Sequence, residues 1–300
     1  MIINGDSLEE LKKIEDNSLE GCITDPPYNY EFLNHNWNQK EVERRIEKAG
    51  KSKNVLVKNI PYGSGLSGGV RNKNWYKKNK LNIEAYQDWI YEWGKEIYRI
   101  LKPGSYVLVF NSTRTIAHVQ IALERAGFYS RDILVWQRHS GIPKGLNAAS
   151  KLKQENNPNY KDWEGWHSCL RSEWESIVMV QKPLENNYLN TLKKYEIGLL
   201  KAETDTHFKS NIISGIKREK LDEFNNHPTV KPLELMEYLV ELIMPEGTTV
   251  IDPFAGSGTT LLAAKNKNVN YIGIEINADY VDIAKRRLES QVQQLEIMDI

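Results

Sequence analysis

Two aspartates that each follow an apolar run are the residues of this sequence best suited to chemistry. Asp25 follows the run "GCIT" and precedes Pro26, Pro27 and Tyr28. Asp252 follows the run "TTVI" and precedes "PFAGSGTT". Continuous apolar runs of this kind are typical of strands that are covered on both faces. We therefore expect both acids at the carboxyl ends of buried strands, which is where ligands bind in open α/β sheets.

The segment 25–28 carries the groups needed to activate an exocyclic amine of a nucleobase. Such an amine is a poor nucleophile because its lone pair is delocalised into the ring. The Asp25 carboxylate and the Pro26 carbonyl, on a backbone that proline restricts, could bind its two hydrogens and draw the nitrogen towards tetrahedral geometry. The Tyr28 ring offers a face for base stacking, worth ~1–3 kcal/mol. A duplex base must be flipped out to reach this clamp; the alternative is a proline-rich turn capped by an acid.

The segment 248–260 has the pattern of a strand, a glycine turn and a helix. Gly256 and Gly258 would let the backbone approach a ligand closely, and the N–H groups that open the helix favour a carboxylate or a phosphate. Asp252 would repel a pyrophosphate but attract an ammonium group. Glu275 ends the next apolar run, where an acid can bond both hydroxyls of a ribose. This combination favours S-adenosylmethionine over a dinucleotide, with a purely structural turn as the alternative.

Asp6 follows a short apolar run and precedes a predicted helix. Its carboxylate could accept a hydrogen bond from the amino group of the cofactor's adenine. The alternative is a role in helix capping, because Ser7 and Glu10 fit the S-x-x-E capping box. The two roles are compatible with each other.

Apolar runs and helical periodicities alternate along the chain, which predicts an α/β fold with a mostly parallel sheet and helices on both faces. The clearest helix is predicted over 84–101, and two others over 232–243 and from 278 to about 294. Seven strands are predicted, at 1–4, 21–25, 106–110, 133–137, 177–181, 248–252 and 271–276.

Two polar segments interrupt this alternation. Residues 31–80 are rich in Asn and Gly, and residues 40–80 hold twelve Lys or Arg against three Glu. Residues 138–226 contain one predicted strand among long polar stretches. Long segments of this kind are usually functional loops or inserted lobes. We therefore predict a catalytic and cofactor-binding domain at 1–137 and 227–300 with a basic loop at 31–80, and a target-recognition insert at 138–226 that contributes one core strand near 177–181.

The composition excludes several classes of protein. The 300 residues carry 40 basic and 40 acidic side chains, so only the local excess in 40–80 indicates nucleic acid. Two cysteines, Cys22 and Cys169, form neither a disulfide framework nor a metal site, and no metal is expected. The sequence shows no leader pattern and no apolar run of about 18 residues, which predicts a cytoplasmic protein without membrane contact.

The two motifs together resemble those of the DNA amino-methyltransferases, enzymes that use S-adenosylmethionine to methylate adenine N6 or cytosine N4. D-P-P-Y at 25–28 resembles the catalytic motif, "DPFAGSGTT" at 252–260 the cofactor motif, and "HPTVKP" at 227–232 the segment that completes the cofactor pocket. The catalytic motif comes first, which resembles the circularly permuted beta group. "WQRHSGIPKGLN" and "LRSEWESIVMVQKP" are similar to segments of phage and prophage members. The resemblance implies a Rossmann-like, seven-stranded sheet with one antiparallel strand.

The resemblance also implies roles for individual residues. The target base would be held by Asp25, Pro26, Pro27 and Tyr28. Separately from the resemblance, the basic excess of the 31–80 loop predicts that Lys73, Lys77 and Lys78 contact DNA phosphates. The cofactor would be bound by Asp6, Asp252, Pro253, Phe254, Ala255, Gly256, Ser257, Gly258, Thr259, Thr260, Glu275, His227, Thr229 and Lys231.

Asp rather than Ser at position 25 favours adenine N6, because cytosine N4 enzymes often carry S-P-P-Y. The predicted function is therefore site-specific methylation of adenine N6 in a flipped-out base, with cytosine N4 as the first alternative. The expected partner is double-stranded DNA, together with a cognate restriction endonuclease if the enzyme is restriction-linked. The protein itself would be a monomer or a homodimer.

Further alternatives change the substrate or remove the activity. RNA and protein-amide methyltransferases more often show N-P-P-[YF] and the unpermuted order. A catalytically silent DNA-binding protein would not need the intact acids Asp25, Asp252 and Glu275. A nucleotide-dependent oxidoreductase would show the full G-x-G-x-x-G and would leave D-P-P-Y unexplained. Methylation at cytosine C5 needs a thiolate nucleophile, and neither cysteine lies beside a proline.

Overall fold

A single mixed sheet organises the chain. The computed structural model describes residues 1–28, 73–138, 145–217, 224–225, 227 and 230–298. Its strands are β1 (Ile2–Asn4), β2 (Leu19–Thr24), β3 (Leu101–Asn111), β4 (Tyr129–Gln137), β5 (Trp174–Gln181), β6 (Ile212–Ile213), β7 (Thr249–Asp252) and β8 (Asn270–Glu275). The order across the sheet is β1-β8-β7-β2-β3-β5-β4-β6. This confirms the predicted α/β class.

Strand β5 runs against its two neighbours, β3 and β4, whereas every other neighbouring pair in the described sheet is parallel. A mostly parallel sheet with one antiparallel strand is what the resemblance implies. The predicted number of strands, seven, is wrong, since the described residues form eight. The additional strand β6 has two residues, which pair with Val135 and Trp136 of β4. A segment so short carries no alternation that a sequence pattern could show.

Helices cover both faces of the sheet. They are α1 (Ser7–Leu11), α2 (Lys73–Ile100), α3 (Ile116–Arg125), α4 (Ala148–Gln154), α5 (Tyr188–Tyr195), α6 (Leu233–Ile243), α7 (Thr259–Asn266) and α8 (Ala278–Met298), with a 3₁₀ helix at Pro158–Trp163. Among the described helices, none combines the length and the apolar character needed to cross a membrane.

Helix α2 begins eleven residues before the predicted helix start at 84. The end of the predicted 31–80 loop is therefore helical from residue 73, while residues 31–72 lie outside the described part of the chain. The early turns read "KNWYKKNKLN", which lacks an apolar stripe, so periodicity could not reveal them. Lys73, Lys77 and Lys78 lie on these turns, and their side chains are outside the described structure.

The apolar stripe of α2 fixes the site from one face of the sheet. Tyr86, Ile90, Trp93, Ile97 and Ile100 are each at most 1% exposed, as their three-and-four spacing predicts. They pack against side chains of β2 and β3 in one cluster. Burying a large apolar side chain contributes about 1.5–3 kcal/mol, so this stripe binds the helix firmly to the two strands, and Tyr86 at its start contacts residues at their carboxyl ends.

The strand order brings the two predicted motifs together. Strand β2 lies between β7 and β3, with Cys22 opposite Ile251. Strand β8 is the other neighbour of β7, and β1 pairs with β8 so that Asn4 lies opposite Glu275. The ends of β1, β8, β7 and β2 therefore meet at one edge of the sheet. Asp25 and Asp252 follow or end strands there, as the sequence predicts, and the structure adds that the two strands are neighbours.

Candidate active site

Asp252 joins the catalytic motif to the glycine loop. Its Oδ1 accepts hydrogen bonds from the Thr24 hydroxyl at 2.7 Å and from the Phe254 N–H at 3.0 Å. Its Oδ2 accepts from the Thr260 hydroxyl at 2.5 Å. The residue is 2% exposed, so these bonds hold the end of β2, the loop and helix α7 against one another. The predicted contact between Asp252 and the cofactor stays a prediction, and the structure adds this positioning role.

Burial sets the protonation of Asp252. It raises the pKa of this carboxyl to about 6, although the hydrogen bonds from Thr260, Thr24 and Phe254 act in the opposite direction. The negative charge of Asp25 across the strand pair adds a smaller increase. An aspartate in the unfolded chain titrates near 3.9. Between these two values the folded protein holds the proton that the unfolded chain releases.

This difference predicts a pH-dependent term in stability. Because the pKa of Asp252 is higher in the folded state, the stabilisation is complete below about pH 4 and is lost as the pH rises through about 6. The expected loss is on the order of 2–3 kcal/mol. The variant Asp252→Asn stays neutral, so its free energy of unfolding should lack this decline. Urea titrations at pH 4.5 and pH 7 measure the free energy of unfolding of the wild type and of the variant. An equal change between the two pH values in both proteins would contradict the prediction.

The glycine loop is held by Glu275 at the end of β8. Its Oε2 accepts from the Gly256 N–H at 2.8 Å and its Oε1 from the Asn277 N–H at 2.8 Å. Gly256 and Gly258 have φ angles of +52° and +78°, a region that disfavours other residues. The loop is further fixed where Ala255 N–H donates to the Ile274 carbonyl at 2.9 Å. The contact of Glu275 with a ribose stays a prediction.

The "HPTVKP" segment approaches the loop through His227. A Cβ on Gly256 would lie 2.9 Å from the His227 Nε2, so glycine is needed for this approach. Burial lowers the pKa of His227 to about 4, and the charges of Lys231 and Arg287 add to the effect. The imidazole is therefore neutral at physiological pH. Thr229, also predicted at the cofactor, lies outside the described residues.

Asp6 lies at the same edge and caps helix α1. Its side chain accepts hydrogen bonds from the N–H groups of Leu8 at 3.0 Å and Glu9 at 3.3 Å. The capping box with Ser7 as the N-cap is therefore wrong by one residue, because Ser7 is already helical. The Ser7 hydroxyl instead donates to the Pro253 carbonyl. Asp6 is exposed near the end of β1, and its contact with the cofactor's adenine stays a prediction.

Lys231 lies on the catalytic motif. Its ammonium forms an ion pair with Asp25 Oδ2 and donates to the Tyr28 hydroxyl at 3.2 Å. It also lies 3.5 Å from Glu175 Oε2. The sequence motif predicts Lys231 at the cofactor; that role stays a prediction, while the described contacts of its ammonium are with the catalytic motif. The pairing joins residues 206 positions apart.

The carboxyl of Asp25 has one engaged and one open oxygen. Its Oδ2 binds Lys231, while Oδ1 is buried and has no hydrogen-bond partner among the described residues. Burial raises the pKa of Asp25 above its ordinary value, although the charge of Lys231 lowers it. A buried acceptor without a donor is costly in a native protein and indicates a site for a ligand's N–H or O–H group.

The rest of the catalytic motif is held from two sides. The Tyr86 hydroxyl donates to the Pro27 carbonyl at 3.2 Å and accepts from the Asn111 amide at 2.6 Å. The Lys231 ammonium lies 5.3 Å from the centroid of the Tyr28 ring and 3.2 Å from its hydroxyl oxygen, so it approaches the ring from the hydroxyl end. The roles of Pro26 and Tyr28 at the base stay predictions.

An aromatic cluster forms the wall between α2 and the glycine loop. The Phe254 ring lies 5.3 Å from the Trp89 ring and 5.7 Å from the Trp93 ring, centroid to centroid. Trp89 in turn stacks on Tyr86 at 6.0 Å. Phe254 is thus fixed by apolar contacts that do not depend on a ligand. The sequence motif places Phe254 at the cofactor but does not reveal its contacts with α2.

Arg287 is a site residue that the sequence motifs did not reveal. Its guanidinium, buried under the loop, donates to the Ser257 carbonyl at 2.7 Å and to the Thr259 hydroxyl at 2.9 Å. It therefore supports the loop on the side of helix α8. The sequence does contain one indication that Arg287 is buried: it lies on the same stripe of its helix as Ala284 and Leu288, which are also buried. A charged residue within a buried stripe indicates a structural partner.

Comparison with known proteins assigns the family. The profile of a family described as DNA methylase matches residues 19–286. The chain belongs to the DNA methylase family. The matched segment contains both the Asp25–Tyr28 motif and the glycine loop, which the structure brings together at one edge of the sheet.

Relatives and solved structures are consistent with this assignment. The type II methyltransferase M.HindIII of Haemophilus influenzae is 33% identical over 96% of this DNA methylase and 94% of the relative. The DNA adenine methyltransferase YhdJ of Escherichia coli K12 is 27% identical over 96% and 82%. The crystal structure of an M1.HpyAVI–SAM complex covers 96% of the chain and 98% of its own, with 22% identity and a TM-score of 0.56. The cytosine-N4-specific PvuII DNA methyltransferase covers 96% and 85%, with 16% identity and a TM-score of 0.61.

Proposed function

We propose that this protein transfers a methyl group from S-adenosylmethionine to N6 of an adenine flipped out of double-stranded DNA. The observation that carries the proposal is the open Oδ1 of Asp25. It is a buried acceptor at the carboxyl edge, and Thr24, the residue before it, is hydrogen-bonded to the aspartate of the glycine loop. The acceptor for the target amine and the cofactor loop are thus direct neighbours.

The residues at the edge fit the cofactor. Gly256 and Gly258 have left-handed backbone conformations just before α7. The N–H groups at the start of this helix have no partners within the helix and suit the carboxylate of the cofactor. Glu275 would bond the ribose hydroxyls and Asp6 the adenine, and both lie at the ends of the paired strands β8 and β1. When bound, S-adenosylmethionine supplies an electrophilic methyl group on a sulfonium. His227 and the "HPTVKP" segment would close the pocket over the loop.

The chain's own task is to activate the amine. Asp25 Oδ1 would accept one N–H of the exocyclic amine and the Pro26 carbonyl the other, which would expose the nitrogen lone pair for attack on the methyl carbon. As the nitrogen–carbon bond forms, the carbon–sulfur bond would break, with S-adenosylhomocysteine as the leaving group. The methylated nitrogen must then lose a proton, and the Asp25 carboxylate is the acceptor that already holds it. Lys231, paired with Oδ2, favours the ionised form that this acceptor role needs.

Adenine is the proposed base, with cytosine as the second candidate. The D-P-P-Y form of the motif and the name of the Escherichia coli relative, a DNA adenine methyltransferase, favour adenine N6. The fold that it has in common with a cytosine-N4-specific enzyme keeps cytosine N4 as the alternative. The exocyclic amines of adenine and cytosine need the same pair of acceptors. The geometry of Asp25 therefore supports methylation of an amine, and only the sequence motif supports the choice of adenine.

Mass spectrometry of modified nucleosides tests the proposal. The purified protein is incubated with S-adenosylmethionine and unmethylated genomic DNA, and the DNA is digested to nucleosides. N6-methyladenine is the expected product. N4-methylcytosine would be consistent with the proposed role of Asp25 at the amine but would show that the target base is cytosine. Absence of any methylated base, with cofactor binding verified by calorimetry, would reject DNA amine methylation and favour RNA, a protein amide or a silent DNA-binding protein.

Residues 138–226 are proposed as the target-recognition insert and 31–80 as a DNA-contacting segment. The chain leaves the sheet at the end of β4 and returns at the start of β5. Both points lie at the edge of the sheet that holds Asp25. Part of the insert lies back in the sheet as β5 and β6. Double-stranded DNA is the proposed partner, with a cognate endonuclease if the enzyme is restriction-linked.

Lys73, Lys77 and Lys78 are expected to bind DNA phosphates. Replacing all three with Ala should weaken binding to all DNA sequences alike and reduce the slope of log K against log salt by about 0.9 for each phosphate that is no longer neutralised. Fluorescence anisotropy at several salt concentrations measures the slope. The matched control replaces Lys193, Lys194 and Lys201. These lysines belong to 138–226 but lie near the amino edge of the sheet, opposite the edge that holds Asp25, beside Gly104 and helix α6. Equal slopes for the two triple variants would show that 73–78 is an ordinary solvated surface.

A further inference from the structure

Lys231 is enclosed by two acids and two aromatic rings. Its side chain is 10% exposed, and its ammonium binds Asp25 Oδ2 and lies 3.5 Å from Glu175 Oε2. The ring centroids of Phe110 and Tyr28 lie 4.9 Å and 5.3 Å from the same ammonium. One positive charge therefore serves two mostly buried carboxylates, and each acid competes with the other for it.

Glu175 connects this charge to the base of the insert. It lies at the start of β5, opposite Trp136 of β4. Arg138 directly follows β4; its guanidinium forms an ion pair with Glu175 Oε1, and its N–H donates to the Glu173 carbonyl at 2.5 Å. The two chain positions that enter and leave the first part of the insert are thus tied together by Arg138 and Glu175.

The two acids respond to the network in opposite ways. Burial raises the pKa of Asp25, and the attraction of Lys231 offsets this only in part. Burial alone would also raise the pKa of Glu175, but the charges of Lys231 and Arg138 outweigh it and hold that pKa below its ordinary value. The negative charge of Glu175 raises the pKa of Asp25, because the two acids compete for the charge of Lys231.

We infer that Glu175 and Lys231 are positioning residues for the reaction, and that they link the base of the insert to the orientation and charge of the Asp25 carboxylate. Lys231 fixes Oδ2 and so leaves Oδ1 for the amine of the target base. Arg138 forms an ion pair with Glu175 Oε1, and Glu175 Oε2 lies 3.5 Å from the ammonium of Lys231. The inference rests on the proposed function, because it assigns the network to the reaction of Asp25 with an amine.

The remaining charged or titratable groups around Asp25 come from several elements and act in known directions. The negative charge of Asp25 and the buried carboxyl of Asp252 each disfavour ionisation of the other. Tyr28 and Tyr86 stay neutral, because burial raises the pKa of each. His227, beside Lys231, is neutral above about pH 4. Among these remaining groups, Asp252 is the one whose charge changes just below neutral pH.

Two substitutions should shift the titration of Asp25 in opposite directions. Glu175→Gln removes the competing anion, so the pKa of Asp25 should fall. Lys231→Met removes the compensating cation, so the pKa should rise, by about 1 unit or more. Lys231→Arg keeps the charge and should stay close to the wild type. A residue that served only folding would not produce shifts of opposite sign.

The experiment follows the ¹³C resonance of the Asp25 carboxyl through a pH titration, assigned by its loss in Asp25→Asn. In parallel, single-turnover methyl transfer to genomic DNA is measured across pH, where the acidic limb should move with the titration of Asp25. The control is Glu92→Gln, which removes an exposed carboxylate of α2 that pairs with Lys95, outside the insert. This control should leave both profiles unchanged.

The outcomes separate the inference from the proposed function. Opposite shifts in the resonance and in the acidic limb would support both. Opposite shifts in the resonance of a protein that methylates no DNA amine would support the charge network but reject its assignment to the reaction. Unchanged or parallel shifts in an active enzyme would overturn the inference and leave the function. If Lys231→Met does not fold, Lys231→Arg and Glu175→Gln decide, since only the second is expected to move the titration.

Discussion

Asp25→Ala should reduce single-turnover methyl transfer by about 10²-fold or more, the usual loss when a preorganised hydrogen-bonding group of an active site is removed. The reason is the open Oδ1, which is the acceptor proposed for the target amine. Folding should be retained, because Lys231 keeps Glu175 as a partner and a carboxyl disfavoured by burial is removed. Binding of S-adenosylmethionine should also be retained, because Glu275 still holds the glycine loop.

Two further variants sharpen this test. Asp25→Asn keeps the shape but offers a weaker acceptor and an unwanted N–H group, so it should fall close to Asp25→Ala. Asp88→Ala removes an exposed aspartate of α2 that pairs with Arg125, and it should keep the wild-type rate. Calorimetry for the cofactor and radiolabelled methyl transfer to DNA are measured on the same preparations. Full activity of Asp25→Ala would refute the clamp.

Gly258→Ala should destabilise the protein more strongly than an ordinary glycine substitution does. The residue has φ +78°, where a Cβ costs about 1–2 kcal/mol. In addition, the new Cβ would lie 2.7 Å from the Cβ of Ala284 on helix α8. Overpacking of this kind costs typically ~1–3 kcal/mol more. We therefore expect a total loss of about 2–5 kcal/mol in the free energy of unfolding.

Gly247→Ala is the matched control for this prediction. Its φ is +80°, and a Cβ there would have no neighbour within 4 Å. The control thus has the same backbone strain without the clash, and should lose only about 1–2 kcal/mol. Urea denaturation of both variants gives the difference. Equal losses would show that α8 moves away from the loop freely, and a larger loss in Gly258→Ala should be accompanied by weaker binding of S-adenosylmethionine.

Local patterns predicted much of the fold. The apolar runs indicated the seven longer strands, and the stripe from Tyr86 to Ile100 indicated the buried face of α2. The adjacency of β2 and β7 was a condition of the chemistry expected of Asp25 and Asp252, and only the structure shows it. Errors occurred where local signals are weak: the two-residue strand β6, the polar first turns of α2 and the exact N-cap of α1.

The site was predictable only in its motifs. Asp25, the glycine loop and Glu275 stand out because strand ends and glycines follow local rules. The partnership of Lys231 with Asp25 spans 206 residues, and no local pattern predicts it. Arg138 and Glu175 lie in different parts of the sequence, and their pairing depends on β4 and β5 being antiparallel neighbours. Such contacts are products of the tertiary fold, so they become visible only once the strand order is known.

The antiparallel strand β5 has a consequence for how the family can diversify. Gln137 at the end of β4 and Trp174 at the start of β5 are paired neighbours, so the segment between them leaves and re-enters the sheet across a gap of about 5 Å. A module of any length could be exchanged there without altering the scaffold. Arg138 and Glu175 flank this junction, so if this segment recognises the target as proposed, a transplant that keeps both residues should acquire a new target sequence and retain its catalytic rate.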